Sequence, residues 1–148
     1  MYKSTKLYGH DLGLSAVFRQ WRAKSHCAQL HGYALAFKLT FDCDRRDENG
    51  WVMDFGALGV IKSMLQATFD HTVLVAEDDP LRDQLALLDD LGAANIKFVE
   101  RTGCEAFAEI VYNDVSRWLA TYQAGRVRLL SVECAEHGAN SAIYEGEQ

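Results

Sequence analysis

Hydrophobic and polar residues alternate along the chain from Tyr33 to Phe41. The odd-numbered positions carry large apolar side chains, whereas the even-numbered positions carry Ala, Ala, Lys and Thr. Because successive side chains of a strand point to opposite faces, this pattern predicts a strand with one buried face. Residues 12–22 are also predicted to be extended. The loop between these two segments carries Cys27, at a position where a loop enters a strand.

The middle of the chain changes to helical spacing. Asp54 can cap a helix whose apolar residues recur at helical intervals, and we expect this helix to end near Phe69. The residues 78–80, Asp-Asp-Pro, predict the start of a second, short helix, which Gly92 terminates. The apolar run 96–99 is predicted to be a strand or an extended link.

The last third of the chain contains one long amphipathic run. Thr102, followed three residues later by Glu105, has the form of a capping box, which predicts a helix that starts here and ends at Gly125. Residues 127–134 and 139–144 are predicted to be two closing strands, joined around a turn.

The predicted element order is therefore ββααββ. This order indicates an α+β fold with an antiparallel four-stranded sheet and helices on one face. The chain of 148 residues is predicted to form a single domain over residues 1–148, because it is large enough to bury one core and shows no linker.

Composition narrows the classes of function. The net charge of −6 argues against nonspecific binding of nucleic acid, which depends on clustered Lys and Arg. No run of residues is long and apolar enough for a membrane span, and the first residues do not have the form of a signal peptide. The four cysteines are scattered and form no C-x-x-C pair, which is typical of free thiols in a reducing compartment. We therefore expect a cytoplasmic protein with no nucleic acid or membrane partner.

A small number of residues can carry chemistry. Cys27 is the strongest candidate, but only a thiolate is a useful base or nucleophile, so a partner must lower its pKa. His71 can be that partner, with Asp70 orienting the imidazole. Glu136 can accept two parallel hydrogen bonds from an aminopyrimidinone. The alternatives without a catalytic role are that Cys27 is a buried structural cysteine and that Glu136 is an exposed carboxylate of a hairpin.

Five motifs together resemble the family of 6-pyruvoyltetrahydropterin synthase and 6-carboxytetrahydropterin synthase. They span the chain from about Lys6 to Glu147: Cys27-x-x-x-His31-Gly32, Trp51-Val52-Met53-Asp54-Phe55, Asp70-His71, Thr102-x-x-Glu105, and Glu136 with the ending Ile143-Tyr144-Glu145-Gly146-Glu147. The resemblance implies the tunnelling fold, in which the sheets of several subunits join into a barrel and active sites form between neighbours. It also implies a homo-oligomer, a hexamer by resemblance.

The resemblance assigns roles to these residues. It implies that Cys27 removes and returns protons at the substrate side chain, while His71, paired with Asp70, relays the charge. It implies that Glu136 anchors the pterin, with Glu133 as the competing assignment, and that Thr102 contacts the pterin of a neighbouring subunit.

The metal part of the family signature is incomplete. Family members bind zinc through three His, and the resemblance places Phe18 and Tyr33 where two of them belong, so His31 is the one that remains. One imidazole cannot hold zinc. Either zinc is absent or other ligands are recruited, for example His10, His26 or His137. No organic cofactor is expected, and the Tyr33 hydroxyl can instead donate a hydrogen bond to the substrate.

The resemblance implies a 6-carboxytetrahydropterin synthase-like lyase that acts on 7,8-dihydroneopterin triphosphate, on the path to queuosine and related 7-deazaguanines. In this interpretation Arg19 and Arg22 meet the triphosphate; together with Lys24 they form the densest basic cluster. The alternatives are a pterin aldolase or pyruvoyl-type synthase, a noncatalytic protein that binds pterin or purine, and a structural oligomer with a vestigial motif.

Overall fold

The computed structural model describes residues 1–147, which form one mixed sheet and three α-helices. Gln148, which the single-domain prediction includes, lies outside the described residues. The strands are β1 (Tyr2–Tyr8), β2 (Leu14–Phe18), β3 (His31–Cys43), β4 (Thr72–Ala76), β5 (Ile96–Val99), β6 (Arg128–His137) and β7 (Asn140–Glu145). The helices are α1 (Gly59–Phe69), α2 (Arg82–Asp90) and α3 (Cys104–Gln123). Short 3-10 helices occupy His10–Leu12, His26–Ala28 and Phe55–Leu58.

The sheet has seven strands in the order β5-β4-β2-β3-β6-β7, with β1 also paired to β3. Strand β3 is long enough, at 13 residues, to pair with β2 along its first part and with β1 along its second. The pairs β2–β4 and β4–β5 are parallel, and the other pairs are antiparallel. The α+β class is confirmed, but the prediction of four antiparallel strands in the order ββααββ is wrong.

Two strands escaped the sequence analysis for different reasons. Strand β4 is a continuous apolar run, as is typical of a parallel strand covered on both faces, so the alternation that reveals β3 is missing. Strand β1 lies at the edge and exposes most of its side chains, so it carries little apolar signal. The apolar run 96–99 was predicted to be a strand or an extended link, and in the structure it forms strand β5.

The main core lies between the sheet and helices α1 and α3. The odd-numbered residues of β3 from Leu35 to Phe41 are fully buried in it, as the alternation predicts. Phe69 at the end of α1 bridges the layers, because its ring lies 4.9 Å from that of Phe37 and 5.3 Å from that of Phe107 on α3. These contacts hold α1, α3 and the centre of the sheet together.

Helix α2 packs on the opposite face of the sheet. Leu74 of β4 belongs to the main core, whereas its neighbours Val73 and Val75 pack in a second cluster with Leu85 of α2. Since adjacent side chains of a strand point to opposite faces, α2 covers the face that α1 and α3 leave open. The prediction that the helices share one face is therefore wrong for α2.

The predicted helix starts have mixed outcomes. Asp54 caps the 3-10 helix Phe55–Leu58, which leads directly into α1, because its carboxylate accepts a hydrogen bond from the backbone N–H of Gly56 at 2.8 Å. The α-helix itself begins at Gly59 and has no side-chain cap. The capping box at Thr102 is wrong: the residue that precedes α3 is Gly103, at φ 114°, and no side chain caps the helix. Within residues 1–147, none of the helices is both long and apolar enough to cross a membrane.

Candidate functional site

Tyr33 lies at the centre of a ring cluster near the start of β3. Its ring centroid lies 5.4 Å from that of His31, 6.0 Å from that of Phe18 and 6.2 Å from that of His137. The β2–β3 register explains the first two contacts, since Phe18 pairs with His31 and Ala16 pairs with Tyr33. The three rings of Phe18, His31 and Tyr33 therefore share one face of two paired strands.

Glu136 reaches the same cluster through an irregularity in β6. The register between β6 and β7 shifts between Ala135 and His137, so Glu136 sits at a bulge. Bulges re-aim side chains at the ends of strands. Burial, followed by the negative charge of the nearby Glu136 carboxylate, raises the pKa of Tyr33 above its ordinary value.

Glu133, the competing assignment, is placed differently. Its carboxylate accepts a hydrogen bond from the Ser141 hydroxyl at 2.7 Å. Its neighbours Val132 and Cys134 are fully buried in the core, so Glu133 points to the opposite face of β6. Of the two carboxylates, Glu136 is the one that meets Tyr33.

Cys27 lies on the 3-10 helix His26–Ala28, half-buried and as a free thiol. The backbone N–H of Cys27 donates a hydrogen bond to the Ser25 hydroxyl at 3.3 Å. The backbone carbonyl of Cys27 accepts a hydrogen bond from the N–H of Gln20 at 2.9 Å. Negative charge on the Cys27 sulfur raises the pKa of Tyr33 further, as does charge on Glu136. Cys27, Tyr33 and Glu136 thus lie in one neighbourhood, although they are far apart in sequence.

Two further thiols border this neighbourhood, and the sequence analysis assigned them no role. Cys104, the first residue of α3, lies near Cys134 of β6, and both are buried. The neighbouring Cys104 thiol and burial raise the pKa of Cys134 far above its ordinary value, so it stays a neutral thiol. The spacing of the cysteines in sequence carries no signal of this contact.

Asp70 and His71 lie elsewhere. The Nδ1 atom of His71 is 2.8 Å from the Asp70 carboxylate, and that carboxylate also accepts a hydrogen bond from the backbone N–H of Ser15 at 3.2 Å. The hydrogen bond from Ser15, followed by the contacts with His71, lowers the pKa of Asp70 below its usual range. The His71 side chain is 86% exposed, and its φ of 56° lies in the left-handed region.

The exposed pair and Cys27 are anchored at opposite ends of β2. Asp70 is attached at Ser15, near the start of the strand, and Cys27 is attached at Gln20, just beyond its end. At about 3.3 Å per extended residue, these anchors are roughly 16 Å apart. Among residues 1–147, the side-chain contact of the His71 imidazole is with Asp70, and no hydrogen bond joins it to the Cys27 thiol.

Thr102 forms a hydrogen bond to another segment of the chain and does not cap α3. Its hydroxyl donates a hydrogen bond to the carbonyl of Arg19 at 2.7 Å, which fastens the segment before α3 to the end of β2. Gly103 follows it, and a side chain at that position would meet the amide of Gln20 at 3.3 Å. Thr102 thus lies beside the same strand end as Cys27.

The two arginines predicted to meet the triphosphate are engaged within the chain. Arg19 forms a paired contact with the buried Asp79, at 2.9 and 2.7 Å, and each residue shifts the pKa of the other towards its charged form. Arg22 donates to Asp78 at 2.6 Å and lies over the ring of Trp21. The expectation that these guanidinium groups are free to bind an anion does not fit this geometry.

The donor set does not fit a zinc site of three imidazoles. Phe18 offers no donor atom and is fully buried, with its ring edge-on to Phe107 at 5.0 Å. Tyr33 carries a phenol, which is not among the usual zinc ligands Cys, His, Asp and Glu. Within residues 1–147, no three or more His, Cys, Asp and Glu side chains are arranged to hold a metal ion. His10, His26 and His137, the predicted substitutes, thus complete no such cluster with His31.

Comparison with known protein families gives one match over nearly the whole chain. The sequence profile of the family described as 6-pyruvoyl tetrahydropterin synthase matches residues 10–147. The 6-carboxy-5,6,7,8-tetrahydropterin synthase of Aquifex aeolicus is 27% identical over 139 residues, which cover 91% of this chain and 85% of that protein. The protein of the same name from Rickettsia typhi is 30% identical, but the match spans about half of each, 53% of this chain and 55% of the relative.

Solved structures with low sequence identity share the fold. An uncharacterized protein from Wolinella succinogenes superposes with a TM-score of 0.84 at 18% identity, covering 99% of this chain and 98% of the other. The 6-pyruvoyl tetrahydropterin synthase of Plasmodium falciparum superposes with a TM-score of 0.69 at 12% identity, covering 99% of both chains. At these identities the likeness concerns the fold.

Proposed function

The chain belongs to the 6-pyruvoyl tetrahydropterin synthase family, and on that premise we propose that it is a lyase of the 6-carboxytetrahydropterin synthase type. Its substrate would be 7,8-dihydroneopterin triphosphate, in the biosynthesis of queuosine and other 7-deazaguanines. The names of its relatives from Aquifex aeolicus and Rickettsia typhi support this reaction over others in the family.

The observation that carries the proposal is the convergence of Cys27 and Glu136 around Tyr33. A carboxylate at a strand end can accept two parallel hydrogen bonds from the ring N–H and amino groups of a pterin. A half-buried thiol beside it is then placed to take and return a proton at the side chain of the same pterin. The proposal gives Glu136 the binding role and Cys27 the proton-transfer role.

The second proton-transfer group would come from another copy of the chain. His71 is held by Asp70 and points into solvent, roughly 16 Å along β2 from the anchor of Cys27. We assign His71 of one copy to the Cys27 site of a neighbour, in a homo-oligomer. Thr102, beside Cys27, would contact the pterin at the same boundary. Triphosphate contact is assigned to neither Arg19 nor Arg22, because both already pair with carboxylates.

The donor set favours a second candidate, a pterin aldolase on the same scaffold. A retro-aldol step needs acid–base groups and no metal ion. A base takes the proton from the hydroxyl group on the carbon that leaves as an aldehyde, and the electron pair of the broken carbon–carbon bond is protonated on the pterin side. The poor fit of Phe18 and Tyr33 to zinc is what keeps this candidate beside the first.

Mass spectrometry of the products from 7,8-dihydroneopterin triphosphate tests the proposal. We expect 6-carboxytetrahydropterin, triphosphate and acetaldehyde from the native protein, and a loss of about 10²–10⁴-fold in rate for Cys27→Ala. If dihydroneopterin is supplied in a parallel reaction, its conversion to a hydroxymethyl pterin would instead support the aldolase. Pterin binding without turnover, unchanged by Cys27→Ala, would contradict both and indicate a noncatalytic binding protein.

The assignment of Glu136 has a matched control on the same strand. Glu136→Gln keeps the size of the side chain but cannot bind the pterin edge as a carboxylate, so we expect the dissociation constant for a pterin to rise at least tenfold. Glu133→Gln changes a carboxylate on the opposite face of β6 and is expected to bind normally. The reverse result would move the binding role to Glu133.

A further inference from the structure

We propose that the buried ion pair of Arg19 and Asp79 holds Cys27 in place for proton transfer. Asp79 orients the guanidinium group of Arg19, and this group in turn fixes the short 3-10 helix on which Cys27 lies. Both are then positioning residues that do not touch the substrate. The inference rests on the proposed proton-transfer role of Cys27, and it adds what fixes the position of that thiol.

The first step concerns how two residues 60 positions apart in sequence come together. Strands β2 and β4 are parallel neighbours, and their register pairs Phe18 with Leu74. Because parallel strands end at the same edge of a sheet, the segments that follow β2 and β4 leave the sheet side by side. Arg19 is the first residue after β2, and Asp79 lies in the turn between β4 and α2. The parallel pairing of these strands therefore brings the two side chains together.

The second step concerns the orientation of the Arg19 guanidinium group. Its Nε and Nη2 atoms donate to the two carboxylate oxygens of Asp79, at 2.9 and 2.7 Å. A contact with two parallel hydrogen bonds fixes the plane of a guanidinium group as well as its position. The Asp79 side chain is 1% exposed and that of Arg19 is 15% exposed, so water competes little for either group. One Asp79 oxygen also accepts the backbone N–H of Leu81 at 2.8 Å, which holds the carboxylate itself.

The third step concerns what the oriented guanidinium group holds. Its Nη1 atom donates to the backbone carbonyl of Ala28 at 2.8 Å. The preceding carbonyl, that of Cys27, accepts the backbone N–H of Gln20 at 2.9 Å. Two successive carbonyls of the Cys27 segment are therefore bonded to two successive residues at the end of β2. Because the bonds lie at neighbouring points, the segment cannot pivot about either one while both are intact.

The neighbouring pair of Arg22 and Asp78 shows what distinguishes the buried pair. Nη2 of Arg22 donates to Asp78 at 2.6 Å, but the two side chains are 55% and 47% exposed. Exposed ion pairs contribute little, whereas breaking a buried pair leaves a charge without compensation. Among residues 1–147, the hydrogen bonds of these two side chains join them to each other and to the Trp21 indole, and none reaches the Cys27 segment. The position of Cys27 should therefore depend on Asp79 and not on Asp78.

Alkylation by iodoacetamide measures the position of Cys27 without any substrate. Mass spectrometry of the digested protein follows Cys27 and the fully buried Cys43, which reports unfolding. The reaction is run at a pH about one unit above the ordinary thiol pKa, so that its rate reports access to the sulfur. We expect Asp79→Asn to raise the alkylation rate of Cys27 about tenfold, with Cys43 still protected, since the charge that orients Arg19 is lost. The matched control Asp78→Asn should react at the native rate.

Arg19→Lys is the second variant, and it decides the test if the buried change at Asp79 prevents folding. It keeps a positive charge opposite Asp79, but a single ammonium group cannot reproduce the fork that also reaches the Ala28 carbonyl. We expect the same rise in the alkylation of Cys27. A native rate at Cys27 in both variants overturns the inference. A rise that is equal at Cys27 and Cys43 in both variants also overturns it, because the pair then serves the whole fold.

Steady-state turnover separates this inference from the proposed function. A displaced thiol leaves the binding of the pterin intact, so Asp79→Asn and Arg19→Lys should lower kcat about 10–10²-fold at unchanged KM. A rise in KM at unchanged kcat would assign the pair to substrate binding and overturn the inference. Native turnover by Cys27→Ala overturns the proposed role of the thiol instead, whatever the alkylation rates are.

Discussion

The two ends of β2 carry two kinds of chemical group. At the Phe18 end, Tyr33 packs among the rings of Phe18, His31 and His137, and the half-buried Glu136 lies near it. At the Ser15 end, His71 is in contact with Asp70 but otherwise open to solvent. The first group is arranged by the packing of this chain, whereas the proposed function assigns the exposed His71 to the site of another copy.

The backbone conformation also differs between the groups at the two ends of β2. The enclosed residues occupy regular strands and one bulge, whereas His71 has a φ of 56°, which costs a non-glycine residue on the order of 1 kcal/mol. Strain of this kind is enriched at functional sites, but it also occurs at helix ends, as Ala124 shows. In the proposed function, the interior of the site therefore forms within one chain, whereas the proton relay draws on His71 of a second copy.

Mixing two inactive variants tests most directly whether Cys27 of one copy and His71 of another form one site. We expect Cys27→Ala and His71→Asn each to lose about 10²–10⁴-fold in activity as pure proteins. Asn is chosen because it tolerates the left-handed backbone. When the two variants are co-expressed at equal levels, about a quarter of the sites receive both intact groups if each site draws on two copies, so activity measured on the isolated mixed oligomer should return.

The mixing experiment has an internal control. A doubly substituted chain, Cys27→Ala/His71→Asn, co-expressed with Cys27→Ala provides no site with both groups and should remain inactive. Mixed oligomers of the single variants that are no more active than the pure ones would show that the two residues do not share a site between copies.

Removing a ring from the enclosed end should cost stability. Phe18→Ala is expected to lower the free energy of unfolding by about 3–5 kcal/mol, because a fully buried phenyl group is lost from contacts with Phe107 and His31. Urea denaturation followed by circular dichroism measures this. Phe55→Ala, at a side chain more than half exposed, is the control and should change the free energy by less than about 1 kcal/mol. Equal losses would contradict an enclosed packing at Phe18.

Relieving the strain at the exposed end should have a smaller and opposite effect. His71→Gly is expected to raise the free energy of unfolding by about 0.5–1 kcal/mol, because glycine adopts positive φ without a steric cost. The same variant should lose activity. Ala124→Gly is the matched control: Ala124 follows α3 at a φ of 47°, so it should gain comparable stability without losing activity. A stabilised and fully active His71→Gly would remove His71 from the mechanism.

The parts of the fold that follow local rules were predictable from the sequence. Alternation located β3, and helical spacing located α1 and α3. The parallel strand β4 was missed because burial on both faces erases alternation, and the position of α2 depends on that strand. The false capping box shows that a matching pattern does not compel a contact, since the Thr102 hydroxyl bonds to a distant carbonyl.

The site was predictable as a set of residues and less so as an arrangement. The resemblance singled out Cys27, Tyr33 and Glu136, and the structure brings them to one place. Glu136 sits at a bulge that depends on the pairing of β6 with β7, which no short motif specifies. The separation of His71 from Cys27 follows from the attachment of both to β2, and adjacency in sequence says nothing about it.

Strand β2 also connects the segment that carries Cys27 with the segment that carries Asp70 and His71. It holds Asp70 through Ser15 at one end and the Cys27 segment through Gln20 at the other. If each site combines groups from two copies, every β2 strand reaches from one active site to the next. A ligand that shifts the strand along its axis at one site then alters the neighbouring site, and turnover plotted against substrate concentration should depart from a simple hyperbola. A strictly hyperbolic curve would mean that the strand passes no signal between sites.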